Sequence, residues 1–223
     1  MSLTIAVDGP GSAGKGTVAR GAARELGFQY VDTGAMYRAV ALTALQRGVS
    51  WDDPVDLAGL AASLQFRFAF EGDVLRVYVD GHDITARIRS DEIGMGASIV
   101  SKVPEVRAAL LGLQRELGAT GGVVMDGRDI GTVVLPDAGL KIYLTADLEV
   151  RALRRHGELV RRGENVSFDR VREALNKRDL QDMNRDVAPL KPAADAVQLD
   201  TTEMTIRQAI DQVITLARSR MDA

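Results

Sequence analysis

The 223-residue chain contains no cysteine, which removes disulfides, thiol nucleophiles and cysteine-held metals together. It has only two histidines, His82 and His156, so little imidazole is on hand for proton transfer near neutrality. No stretch approaches the uninterrupted apolar length of a membrane span, and no repeat or low-complexity tract is visible. The first eight residues, Met1 to Asp8, lack the basic start and long apolar run of a secretory signal and read instead as a buried strand. A net charge of -3 argues against a general binder of nucleic acid or acidic membrane. The expected setting is the cytoplasm.

What is present is an ordinary globular composition, 46% hydrophobic and 26% charged, in a chain long enough for one α/β domain with an insertion. Short apolar runs alternate with amphipathic segments, the pattern of βα units on a parallel sheet. Strands are expected at Leu3–Val7, Phe28–Val31, Val123–Met125, Lys141–Leu144 and Ala196–Leu199. Helices are expected over 15–26, stopped by Gly27, over 35–47, stopped by Gly48, and from Pro104 to Leu117. A capping box of Thr205 with Gln208 opens a last helix to about Arg218. The middle departs from this rhythm. Phe66, Phe68 and Phe70 alternate with Arg67 and Ala69, and Leu75, Val77 and Val79 with Arg76 and Tyr78. That predicts an antiparallel hairpin turning at Glu71-Gly72-Asp73, with a further turn at Asp80-Gly81, in an insertion of about 64–95.

The strongest motif is Gly9-Pro10-Gly11-Ser12-Ala13-Gly14-Lys15-Gly16-Thr17, set between a predicted strand and a predicted helix. Glycines there let backbone N–H groups turn inward around an anion, and the helix N-terminus adds its dipole. All nine residues are candidates for holding ATP, with Lys15 reaching the β- and γ-phosphates. The usual hydroxyl after the lysine is displaced by Gly16 to Thr17, a variant resembling nucleoside monophosphate kinases. Val123-Val124-Met125-Asp126, an apolar strand ending in an acid, supplies a carboxylate. Asp126 and Thr17 are the candidate magnesium residues, acting partly through water.

Phosphoryl transfer asks chiefly for positioning and positive charge. A phosphate acceptor is already largely anionic near neutrality, its second pKa being about 6, so no general base is needed. The two histidines therefore read as surface residues. Arg38 lies one turn into the helix after Asp32-Thr33-Gly34, and Arg128 follows Asp126-Gly127. Residues 151–178 hold nine basic side chains against four acidic ones and predict an arginine-rich lid over about 151–168, with Arg154 and Arg155 facing the transfer. Arg170 and Arg172 read as solvated. Arg38, Arg128 and Arg178 read as phosphate contacts, for which a planar guanidinium is suited.

From end to end the chain resembles the bacterial-type cytidylate kinases. The resemblance rests on Asp8 to Thr17, Asp32 to Arg38, Asp126-Gly127-Arg128-Asp129-Ile130-Gly131-Thr132-Val133-Val134, and Arg185 to Leu190 with the Pro-Leu-Lys-Pro-Ala-Ala-Asp-Ala segment. It implies a P-loop kinase core with a central parallel sheet flanked by helices, a monophosphate-binding region and a lid. It implies ATP-dependent phosphorylation of CMP and dCMP by a monomer, with magnesium. By position, Ser98, Arg107 and Asp129 would read the cytosine edge, and Arg38, Arg128 and Arg178, helped by Thr33, would hold the acceptor phosphate. Asp182 and Arg185 would contact the sugar. The family usually has serine where this chain has Thr33. AMP, UMP or shikimate as acceptor, and a regulatory ATPase, are the competing readings. The last is disfavoured because the arginines of the expected lid suit transfer to an acceptor better than hydrolysis.

Overall fold

The computed structural model describes residues 3–71 and 74–222. Five strands form one sheet: β1 (Thr4–Asp8), β2 (Gln29–Asp32), β6 (Val123–Asp126), β7 (Leu140–Thr145) and β8 (Val197–Asp200), in the order β2-β6-β1-β7-β8. β1 pairs in parallel with both β6 and β7, and β7 with β8. These strands are near-continuous apolar runs because a parallel sheet is covered on both faces. Ile5, Ala6, Val7, Val123, Val124, Met125, Ile142 and Leu144 are all buried. From β1 the chain crosses past β6 to β2, and from β6 it crosses the other way to β7. The order thus reverses beside β1, where open α/β sheets bind ligands at the carboxyl ends of their strands.

The chain divides into two compact units. The first takes in the chain up to Tyr30 and from Gly118 onward. Besides most of the sheet it contains α1 (Lys15–Leu26), α6 (Leu148–Arg161), α7 (Phe168–Asn184) and α8 (Ile206–Met221). α1 stops at Gly27, and α8 opens on the predicted capping box, Thr205 with Gln208. α1 and α8 pack closely, since a Cβ on Gly21 would come within 2.4 Å of Ile210 Cδ1. α6 and α7 form a helical hairpin around Ala152, Leu159, Val171 and Leu175.

The second unit, Val31–Leu117, carries α2 (Thr33–Arg47), α3 (Pro54–Ser63), β3 (Phe66–Glu71), β4 (Val74–Val79), β5 (His82–Asp83), α4 (Asp91–Val100) and most of α5 (Pro104–Ala119). The predicted hairpin is β3 with β4, antiparallel, and β5 adds a third strand. Gly72 and Asp73 of its predicted turn lie outside the described residues. Asp80 and Gly81, both at positive φ, form the second turn. α3 was not expected from periodicity, although Asp53 caps it and Pro54 opens it. α4 begins inside the insertion expected over about 64–95. Its glycines lower helix propensity, but Gly96 allows the Trp51 ring to lie where a Cβ would be only 2.5 Å away, so packing overrides propensity.

Candidate active site

β1 delivers the chain into the P-loop at Gly9, where φ is 147° and a Cβ would sit 1.9 Å from the Leu144 carbonyl oxygen. Only glycine fits there. Ser12 and Gly14 also take positive φ, so the loop curls back before α1 begins at Lys15. Lys15 is buried, and its Nζ donates to the Pro10 carbonyl at 2.7 Å. Burial, helped by the charges of Arg128 and Arg178, pushes its pKa down to about 7 against the pull of Asp126 and Asp8. A cation held this way gains much from an arriving polyanion.

The displaced hydroxyl has a structural reason. Tyr30 Oη donates to Asp126 Oδ2 at 3.0 Å, and a Cβ on Gly16 would lie 3.2 Å from both of those oxygens. A Ser or Thr at 16 would crowd the carboxylate, whereas Thr17, one place on, is exposed.

Asp8, at the end of β1, is a site residue that sequence reasoning passed over. Its two carboxylate oxygens accept from the Ile130 and Gly131 N–H groups, each at 2.8 Å. It thereby ties the P-loop strand to the turn that follows Arg128 and Asp129. Burial raises it to about 6, against the lowering effect of those two hydrogen bonds.

Next to the lysine lies a second group of charges. Arg128 Nε donates to Asp182 Oδ2 at 2.9 Å, and Arg185 Nη2 to Asp129 Oδ1 at 3.1 Å. Burial works against the Asp182 carboxylate, but Arg128 and Arg178 outweigh it and hold Asp182 below its ordinary value. Burial likewise opposes the Arg128 charge, yet Asp182 and Asp126 keep that guanidinium above its ordinary range. Arg154 reaches the back of the P-loop, with Nη2 donating to the Thr201 carbonyl at 2.7 Å and Nη1 to the Ala13 carbonyl at 3.4 Å. Arg155 pairs with Glu158 at 3.0 Å on its own helix. Arg172 pairs with Glu149, and His156 bonds the Val166 carbonyl at 3.0 Å, tying the α6–α7 hairpin together.

The first unit therefore gathers Lys15, Asp126, Arg128, Asp129, Arg178, Asp182 and Arg185 by hydrogen bonds or mutual electrostatics. Four predicted residues, Thr33, Arg38, Ser98 and Arg107, belong to the second unit. Thr33 is buried at the first turn of α2, which Asp32 caps, and Arg38 lies one turn on, half-buried. Ser98 is on α4. Arg107, on α5, donates to the Ser101 carbonyl at 3.4 Å, and its guanidinium carbon lies 5.7 Å from the Tyr37 ring centroid.

A sequence model described as cytidylate kinase matches residues 5–219. The chain belongs to the cytidylate kinase family. It is 48% identical over 221 residues to a cytidylate kinase of Desulfitobacterium hafniense, covering 99% of this chain and 95% of that protein. It is 49% identical over 210 residues to one from Chromobacterium violaceum, covering 94% and 93%. A shikimate kinase structure from Acinetobacter baumannii superposes with a TM-score of 0.50 at 17% identity, over 98% of this chain and 94% of that one. That likeness shows the P-loop kinase fold alone. As a member of this kinase family, the chain takes its phosphoryl group from ATP. Among the described residues no helix is long and apolar enough to cross a membrane.

Asp8 gives this cytidylate kinase family member a pH signature. Its folded pKa lies above the unfolded one, so the folded state binds the extra proton, and its contribution, complete below about pH 4, is lost as pH rises through about 6. The ionised form disfavours folding by about 3 kcal/mol. Comparing the parent with Asp8→Asn by urea unfolding, the parent should lose stability relative to the variant from about pH 4 to 6. A difference that stays flat with pH would place the Asp8 carboxyl at its ordinary value.

Proposed function

We propose that this chain catalyses direct in-line transfer of the γ-phosphoryl group from ATP to the phosphate of CMP or dCMP, giving ADP and CDP or dCDP. The observation that carries this reading is the charge arrangement around Lys15. Arg128 and Arg178 act on that buried ammonium, and the same two guanidiniums act on Asp182. Cations suited to an acceptor phosphate thus stand beside the cation suited to the donor, as direct transfer between two polyanions requires.

Each step follows from the groups present. The P-loop amides and Lys15 hold the donor phosphates. Arg128 and Arg178 hold the acceptor phosphate and neutralise charge as it spreads over the equatorial oxygens; Arg38 and Thr33 are assigned to the same phosphate on the family resemblance. The attacking oxygen is anionic already, so no base is required. Asp182 and Arg185 take the sugar. Arg154 and Arg155 on α6, with the exposed Arg161-Arg162-Gly163 tip, form a lid that excludes water and so prevents ATP hydrolysis.

Asp126 and Thr17 suit magnesium. They offer a carboxylate and a hydroxyl, both hard oxygen donors, and among the described residues no three His, Cys, Asp or Glu side chains form a metal cage. A magnesium ion keeps several waters and takes phosphate oxygens rather than an all-protein shell, which fits so sparse a donor set. Held by Asp126 and Thr17, it would supply Lewis-acid neutralisation of the phosphate charge. The cytoplasmic setting and the monomeric state belong to the same proposal and rest on the family resemblance.

Specificity is assigned to Asp129, with Ser98 and Arg107. A carboxylate accepts from the cytosine amino group, where uracil presents a carbonyl oxygen that repels it. Asp129→Asn retains an acceptor for Arg185 while adding a donor, so the ratio of kcat/KM for CMP over UMP should fall about 10- to 100-fold, with the ATP KM changed far less. Equal discrimination in parent and variant would remove this role from Asp129. The reaction itself is tested by product analysis: one CDP should appear for each ADP, whereas ADP release that ignores CMP would favour a regulatory ATPase.

A further inference from the structure

α6 and α7 meet the P-loop through a buried ion pair that the reaction as described does not use. Arg151, three residues into α6, donates through Nη1 to the Gly11 carbonyl at 3.0 Å and to Asp179 Oδ2, while its Nε donates to the Ala146 carbonyl at 2.8 Å. Asp179 on α7 accepts the Gly11 N–H on Oδ1 at 3.1 Å. Both backbone polar groups of Gly11 are thus held by one ion pair drawn from two helices. Both side chains are less than a tenth exposed.

Such a pair is not explained by stability, because desolvating two charges offsets most of their attraction. Its place explains it better. Arg151 lies one turn from Arg154 and Arg155, and Asp179 lies beside Arg178 and one turn from Asp182. Fixing Gly11 to both helices therefore sets the register between the loop that grips ATP and the arginines that meet the transferred group. We propose that Arg151 and Asp179 are a positioning pair that holds the P-loop in register with α6 and α7 for phosphoryl transfer. This rests on the kinase reading given above. Arg151 acts through its fork: one guanidinium spans Gly11, Ala146 and Asp179, a geometry that a lysine ammonium cannot reproduce.

The test uses the full-length enzyme and Arg151→Lys, which keeps the charge and loses the fork. kcat should fall about 10- to 100-fold, and the Kd for a non-hydrolysable ATP analogue should rise about tenfold, since small misplacements of reacting groups have effects of this size. The Kd for CMP should stay within about threefold, and melting should shift by only a few degrees. Asp179→Asn, which keeps an acceptor for the Gly11 N–H, should show the same loss in kcat. Values of kcat within twofold of the parent in either folded variant would overturn the proposal, as would ATP-analogue and CMP affinities falling together with the melting temperature. Hydrogen exchange at the Gly11 amide of the nucleotide-free parent decides the matter if neither variant folds. It should be slowed at least about a hundredfold relative to an unstructured amide, and exchange near the unstructured rate would refute the clamp. Failure of the parent to make CDP would instead refute the kinase reading, leaving the exchange result to report on the clamp alone.

Discussion

Replacing Lys15 with methionine should lower kcat on the order of 10³-fold or more while leaving the fold as stable as the parent or up to about 2 kcal/mol more stable. The two directions share one cause. The ammonium is buried beside Arg128 and Arg178, its direct hydrogen-bond acceptor is the Pro10 carbonyl, and burial has already pushed its pKa to about 7. In the nucleotide-free protein it is a burden that methionine, of similar length, relieves. In the transition state it faces the charge developing between the β- and γ-phosphates, where a preorganised cation in a dry site has its largest effect. Denaturant unfolding and steady-state rates on one preparation check both halves. A variant that lost activity because it lost stability would contradict the account of Lys15.

The largest structural effect is expected at Gly9. An alanine Cβ there would lie 1.9 Å from the Leu144 carbonyl oxygen, 3.0 Å from its carbon and 3.4 Å from its nitrogen, with φ at a value L-residues rarely adopt. The obstruction is backbone of β7, a central strand, and cannot rotate away as a side chain would. Gly9→Ala should therefore destabilise the protein by more than about 4 kcal/mol, enough to leave much of it insoluble or unfolded. Gly14→Ala is the control. A Cβ there meets nothing within 4 Å, so the change carries only the strain of its positive φ, about 1–2 kcal/mol. Soluble yield and urea midpoints rank the two, and equal losses would mean that the approach of Gly9 to Leu144 does not constrain the loop.

The P-loop was legible because its chemistry is contiguous: glycines, lysine and hydroxyl fall within nine residues, framed by an apolar strand and a helix. The core strands, the hairpin and the caps of α1 and α8 were legible for a similar reason, since periodicity and capping act over a few residues. α3 and α4 were not, because packing of Trp51 over Gly96, and not a helical pattern, fixes that part of the second unit. The acceptor group was harder still. Arg128, Asp129, Asp182 and Arg185 come from two segments some 50 residues apart, and nothing in α7 marks Asp179 and Asp182 as different from the other acids of an amphipathic helix. Asp8 and Tyr30 read as strand residues. Their roles rest on what lies across the sheet from them: the Ile130 and Gly131 amides for one, Asp126 for the other. Gly16 stood out as a departure from the common motif, and only the approach of Tyr30 and Asp126 gives that departure its cause.

In this chain a P-loop kinase site is turned toward a cytosine nucleotide. Coupled ADP release with ATP and magnesium, measured in parallel on CMP, dCMP, UMP, AMP and shikimate, tests it most directly. CMP or dCMP should give the highest kcat/KM, at least about tenfold above UMP and further above AMP and shikimate. Rates on AMP, UMP or shikimate that equal or exceed those on both cytidine monophosphates would contradict it.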